Sequence, residues 1–196
     1  MELVFDLPTA HLRNGTSMTT TATPSRTTPQ RRRTKYRGYE LLLEDAERIA
    51  ASHYVTVGNW TYGQILDHLA RSFAASIDGV GVLLPWPVRL VGGCLFKGRL
   101  LNKMLPSGYQ FPDGKDSRLA PDPDVDVESG LEALRKACHR CKSEHERSMH
   151  PLLGNLDRAE WDRFNLRHAE LHMSFVVPLE EPDEPSPAAE PVTSHA

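Results

Sequence analysis

Cysteine is scarce in this chain of 196 residues. Cys94, Cys138 and Cys141 are an odd and small set, which excludes the cross-linked framework of a compact secreted domain. A reducing compartment suits them, and the expected location is cytoplasmic. Long apolar runs are also missing, since no stretch approaches the roughly 20 residues of a spanning helix. No membrane span is therefore expected. The opening residues MELVFDLPTAHLRNG lack a basic region followed by an apolar core, so no export signal is read there. Arg31, Arg32 and Arg33 invite comparison with a twin-arginine signal, but TKYRGYELLLEDAERI after them is charged and helical. Excess charge of one sign is lacking too. A formal net charge of -3 gives no global attraction to nucleic acid or to anionic lipid, so no nucleic-acid partner is expected.

What is present divides the chain into three parts. Residues 11 to 37 carry Arg13, Arg26, Arg31, Arg32, Arg33, Lys35 and Arg37 with no acid, in a background of Thr, Ser and Pro. With almost nothing to bury, residues 1–35 are expected to be a disordered basic arm, with Met1 and Met18 both plausible starts. From Pro178 the sequence PLEEPDEPSPAAEPVTSHA is acidic and Pro-rich, and residues 178–196 are expected to be a solvated tail. Residues 36–177 are of the size of one domain.

Four helical patterns stand out in that domain. The first starts at Gly38 and repeats Leu42, Ala46 and Ile49. The second opens on a capping box, Thr61 to Gln64, presents Ile65, Leu69, Phe73 and Ile77, and stops at Asp78-Gly79. The third starts at Glu128, with a seam of Leu131, Leu134, Cys138, Cys141 and His145. The fourth is capped by Asp157 with Glu160 three residues on. It carries Trp161, Phe164, His168, Leu171, His172 and Phe175 inward until Pro178 ends it. The expected fold class is all-α, a four-helix bundle with a long excursion, residues 79–127, between helices two and three.

The excursion begins apolar and basic, VLLPWPVRLVGGCLFKGRLLNKMLP, and continues as loop, SGYQFPDGKDSRLAPDPDVDVE. Its first part could pack over the bundle mouth, form a partner-binding patch or lie on a membrane surface. Packing is favoured, because Pro85, Pro87, Gly92 and Gly93 are expected to break a long continuous helix.

Two histidines four residues apart in RHAELHMSFV, His168 and His172, share one face of the fourth helix, within reach of one divalent cation. His68, in ILDHLARSF, adds a third imidazole on the inward side of helix two. Helix bundles build metal sites from such inward side chains on facing helices, although an inward histidine can equally be a hydrogen-bonded core residue. Gln64, one turn before His68, and Asn165, three residues before His168, are candidates to support the site. Gln64 has a competing role in the capping box. Glu170 lies about 200° around the helix from His168 and is expected to face solvent. Asp67 is expected on an exposed face. His150 in HPLLG is read as turn or cap, Trp60 and Trp161 as packing, and Cys138-x-x-Cys141 as small core residues, with His145 leaving room for a second metal site.

NWTYGQILDHLARSF from Asn59, HPLLGNLDRAEW from His150 and RHAELHMSFVVP from Arg167 together resemble the DinB/YfiT-like superfamily, in particular its branch labelled domain of unknown function fifteen sixty-nine. The likeness covers roughly residues 36 to 178. It implies a four-helix bundle holding a divalent metal through three histidines, which by motif fall on His68, His168 and His172. It also implies transfer of low-molecular-weight thiols to electrophiles, thiol-dependent isomerisation or hydrolysis, on a small-molecule substrate, often in a homodimer.

The residues and the resemblance agree on a three-histidine site suited to Zn, Ni, Fe or Mn. The expectation is a metal-dependent enzyme in which a metal-activated thiol cofactor or water does the chemistry. The alternative is a non-catalytic helical module, with a structural metal or none, that binds partners through residues 79–127 or the charged tails.

Overall fold

The fold is that of a computed structural model, which describes residues 30–81, 83–105 and 118–179. The expected disorder of residues 1–29 and 180–196, and the loop reading of residues 106–117, lie outside the described residues. Five helices and one small sheet are described: α1 Tyr39–Ala50, β1 Tyr54–Thr56, α2 Tyr62–Asp78, α3 Trp86–Asn102, α4 Val127–Ser143, α5 Arg158–Met173 and β2 Val176–Pro178. The fold is mostly helical, as expected. Helices three and four of the sequence pattern are α4 and α5.

Local chemistry sets the helix starts. Thr61 accepts the Gln64 N–H while Gln64 reaches back to the Thr61 N–H. Asp157 and Glu160 repeat that exchange at α5, and Asp126 accepts the Ser129 N–H at α4. Each box satisfies two N–H groups that the first turn leaves open.

The apolar faces then pack. α2 lies along α4 and also meets α5, while α1 crosses α4 and α5. Leu42, Ala46, Ile49, Ile65, Leu66, Leu69, Phe73, Leu134, Cys138 and Met173 form the closed centre. Full burial of each Leu, Ile or Phe there contributes about 1.5–3 kcal/mol. At the start of α2 the backbones nearly touch: a Cβ on Gly63 would sit 2.3 Å from the Val125 carbonyl oxygen, and one on Gly130 2.9 Å from the Gly63 carbonyl oxygen. That close approach brings the first turns of α2 and α4 together.

Several features of the helices depart from the sequence reading. α5 stops at Met173 rather than running to Pro178, because Val176–Pro178 pairs antiparallel with Tyr54–Thr56, Thr56 opposite Val176. Phe175 therefore leaves the helical face and packs beside Gly58. α4 ends at Ser143, which leaves His145 exposed beside Arg158 rather than on a seam. Residues 86–102 form an unbroken helix despite the prolines and glycines. Pro85 and Pro87 sit at its start, where a missing N–H costs nothing, and a Cβ on Gly92 would lie 2.6 Å from the Leu152 carbonyl oxygen. The glycines here let a helix approach a neighbouring loop closely. They do not break it.

The segment before α1, read from sequence with the basic arm, is docked from Arg31 onward. Arg32 donates to the carbonyl oxygens of Met173 and Val176 and pairs with Asp45, while Arg31 donates to Ser174 Oγ and stacks on Phe175. Tyr36 is buried, its N–H donating to Glu170 and its hydroxyl to Asp45.

Candidate metal centre

His68 projects from the middle of α2, and His168 and His172 from successive turns of α5. Packing of α2 against α5 brings the three rings together, with potential ligand atoms within 4.8 Å of one another. His168 Nε2 lies 3.3 Å from His68 Nε2 and 2.9 Å from His172 Nε2. Rings His68–His168 and His168–His172 meet edge to face.

Tautomers follow from the surroundings. His68 Nδ1 donates to the Leu119 carbonyl oxygen at 2.7 Å, so its Nε2 presents a lone pair to the other two rings. One proton on His168 Nε2 serves one neighbour at a time, and Nδ1 of His168 is buried with no partner among the described residues. Protons therefore satisfy this cluster poorly. A cation at the common focus of the Nε2 atoms would accept all three lone pairs. With metal–nitrogen bonds of the usual length, the ligand nitrogens lie about 2.9–3.4 Å apart, which matches the closer contacts here. The residues fit a divalent ion, and the backbone carbonyl behind His68 is the orienting partner such ligands need.

Burial keeps the rings neutral. It holds His168 well below the ordinary histidine range, with His172, His68 and His150 adding to the effect. His172 is pushed down to about 3 by burial, then by His68 and Arg31. His68 is lowered by burial against an opposing hydrogen bond to Leu119. Neutral imidazole is the form that ligates. As whole residues, His168 and His172 are half-buried.

Trp60 walls one side. Its ring stacks on His172 at 5.4 Å, with planes 17° apart, and tilts over His68 at 4.7 Å. The sequence reading has Trp60 as packing. It does pack, but against two of the three imidazoles. Phe164 stands near His168 at 6.2 Å. The Leu119 carbonyl has no side-chain signature and could not have been picked out from the sequence.

The supporting candidates go elsewhere. Gln64 is occupied by the capping box and donates to the Pro123 carbonyl oxygen. Asn165 turns into the core, its Nδ2 donating to Tyr39 Oη and Ser76 Oγ. Neither touches the imidazoles. Two carboxylates expected in solvent are buried. Glu170 accepts from the Tyr36 N–H and pairs with Arg167, while Asp67 accepts from Arg71 and from the Asp122 N–H. Docked segments cover both, residues 31–36 over Glu170 and residues 119–122 over Asp67.

His150 is a turn residue, as read: its Nδ1 accepts from the Leu152 and Leu153 N–H groups. Cys138 and Cys141 are buried core thiols, and burial raises both above the ordinary range. Among the described residues no second cluster of metal ligands forms around His145.

A family model spanning residues 29–179, described as Protein of unknown function (DUF1569), matches this sequence. The chain belongs to the DUF1569 family. The match takes in every element of the fold and the whole histidine cluster, and it begins just before the docked Arg31 and Arg32. No curated protein and no solved structure matches the chain.

Proposed function

We propose that this DUF1569 chain is a DinB/YfiT-like metal-dependent enzyme, with α1, α2, α4 and α5 as its four-helix bundle and α3 as part of the excursion. His68, His168 and His172 hold one divalent transition-metal ion, Zn, Ni, Fe or Mn. The convergence of the three Nε2 atoms, with His68 oriented through Leu119, is the observation that carries this reading.

A divalent ion held by three neutral imidazoles supplies Lewis acidity and lowers the pKa of a bound thiol or water. The residues determine how a substrate meets it. Trp60 closes one side with an apolar face and limits the water there. The neighbouring carboxylates Asp67 and Glu170 are committed to Arg71 and Arg167, so neither is positioned to move a proton. That leaves a metal-activated thiol or water as the nucleophile, and the family resemblance ranks transfer of a low-molecular-weight thiol to an electrophile first, with metal-assisted hydrolysis second.

Elemental mass spectrometry of protein purified without added metal, wild type beside His168→Ala, tests the reading. Near-stoichiometric transition metal in the wild type that is lost in the variant supports it. No metal in either, and none taken up on adding Zn, Ni, Fe and Mn in turn, would overturn it in favour of a non-catalytic module.

A further inference from the structure

Four buried side-chain nitrogen and oxygen atoms lack a hydrogen-bond partner among the described residues: Nε of Arg147, Nε of Arg167, Oγ of Ser72 and Nδ1 of His168. Both arginines also donate through Nη2 to backbone carbonyls, so their guanidinium groups are anchored all the same. Ser72 has no second polar atom to use. A helical serine commonly donates to the carbonyl three or four residues back, as Ser76 does to Phe73 at 2.6 Å and Ser143 to His139 at 3.0 Å. Ser72 is 8% exposed and makes no such bond. The packing of α2 on α5 brings it to the level of His168. His68, Ser72 and Ser76 follow one another at one-turn intervals along a single stripe of α2. The His68 ring meets those of His172 and His168, with centroids 4.6 and 5.1 Å apart, while Ser76 Oγ accepts from Asn165 Nδ2 at 3.3 Å. As α2 advances, its partners on α5 therefore recede from 172 to 165, and Ser72 falls opposite the turn between Asn165 and His168.

We infer that Ser72 is a positioning residue of the metal centre, its hydroxyl oxygen accepting the Nδ1 proton of His168 when Nε2 of that ring is given to the ion. The inference rests on the metal reading above. An imidazole that ligates through Nε2 carries its proton on Nδ1, and an acceptor there fixes both tautomer and ring orientation. His68 has such an acceptor in the Leu119 carbonyl. For His168 the other polar side chains around the site are committed. Asp67 and Glu170 pair with Arg71 and Arg167, and Asn165 turns its amide to Tyr39 and Ser76. His150 Nδ1 accepts from the Leu152 and Leu153 N–H groups, which places its own proton on Nε2 and makes that atom a donor. The Ser72 oxygen is uncommitted and faces α5. A change of its side-chain rotamer pairs the two atoms without movement of the backbone.

Zinc competition against a chromophoric chelator, run on the full chain as wild type and Ser72→Ala beside melting of the metal-free proteins, tests it. Metal-free Ser72→Ala should melt no lower than the wild type, because it loses a hydroxyl that has no partner. Its zinc affinity should fall roughly ten- to hundredfold. A second measurement reads the contact itself. In the zinc-loaded, nitrogen-15-labelled wild type, the His168 Nδ1 proton should resonate downfield as a hydrogen-bonded imidazole N–H, and in Ser72→Ala it should move upfield. Zinc bound as tightly by Ser72→Ala as by the wild type, or an unmoved Nδ1 proton, overturns the inference and leaves the metal reading standing. A loss of affinity accompanied by a lower melting temperature of the metal-free variant overturns it too, because Ser72 then supports the fold and not the ligand. A wild type that takes up no zinc, nor Ni, Fe or Mn, fails the metal reading itself and this inference with it.

Discussion

Asn165 and Trp60 exchange the roles their positions suggest. Asn165 lies three residues before His168, yet its amide is spent on Tyr39 and Ser76 in the core. Asn165→Ala should therefore destabilise the fold by about 1–3 kcal/mol while leaving metal content unchanged. Trp60→Ala should do the reverse, weakening metal affinity roughly ten- to hundredfold through loss of the ring held against His172 and His68. Zinc competition against a chromophoric chelator, run beside urea unfolding, separates the two. Metal loss in Asn165→Ala at unchanged stability would reverse the assignment. His68, His168 and His172 were legible because spacing on one helix and an apolar neighbourhood point each of them inward. Asp67 and Glu170 were not, because a helical wheel gives an angle from a neighbour and says nothing of the segment that packs there.

The helix starts were readable as elements because a cap is written in four consecutive residues, as at Thr61–Gln64 and Asp157–Glu160. The β1–β2 pair was not, since three residues per strand carry no period and the pairing partners lie far apart in sequence. Turn and packing chemistry make two predictions at this scale. Gly63→Ala should cost about 1–3 kcal/mol, because the added Cβ meets backbone of residues 125–126 that cannot rotate away. Denaturant unfolding measures it, and an unchanged midpoint would refute the close approach. His150 links the turn at 150–154 to pH. Burial pushes it down to about 4, so the unfolded chain takes up its proton near pH 6.5 while the folded chain resists until about 4. Stability is then complete above about pH 6.5 and falls as pH drops toward 4, by up to about 3 kcal/mol from this group. His150→Asn retains an acceptor for the Leu152 and Leu153 N–H groups without titrating, so its stability should fall less over that window. Urea unfolding of metal-free protein at several pH values compares the two, and parallel pH profiles would remove His150 as the source.

For the whole molecule, the boundary of the folded body is set by side chains that composition alone places outside it. Arg32 sits in a segment with no apolar periodicity, and nothing local distinguishes it from Arg33. Its partners Asp45, Met173 and Val176 are supplied by the finished fold, from α1, the end of α5 and β2. Arg32 thus ties the start of the described chain to its end, beside the turn that carries His172. Asp45 pays desolvation for its partial burial, but bonds from Arg32 and Tyr36 outweigh this and hold its carboxyl below the usual range. Arg32→Ala leaves that carboxylate with only Tyr36 and the exposed Arg48, and frees two backbone acceptors, one at the end of α5 and one in β2. A loss of roughly 2–4 kcal/mol is expected, near the lower range for breaking a buried pair because Arg48 compensates in part. A chain beginning at Gln30 should melt like the full chain, and one beginning at Thr34 like Arg32→Ala. Equal melting temperatures for all four proteins would return Arg31 and Arg32 to the arm and detach the family's first matched residues from the folded body.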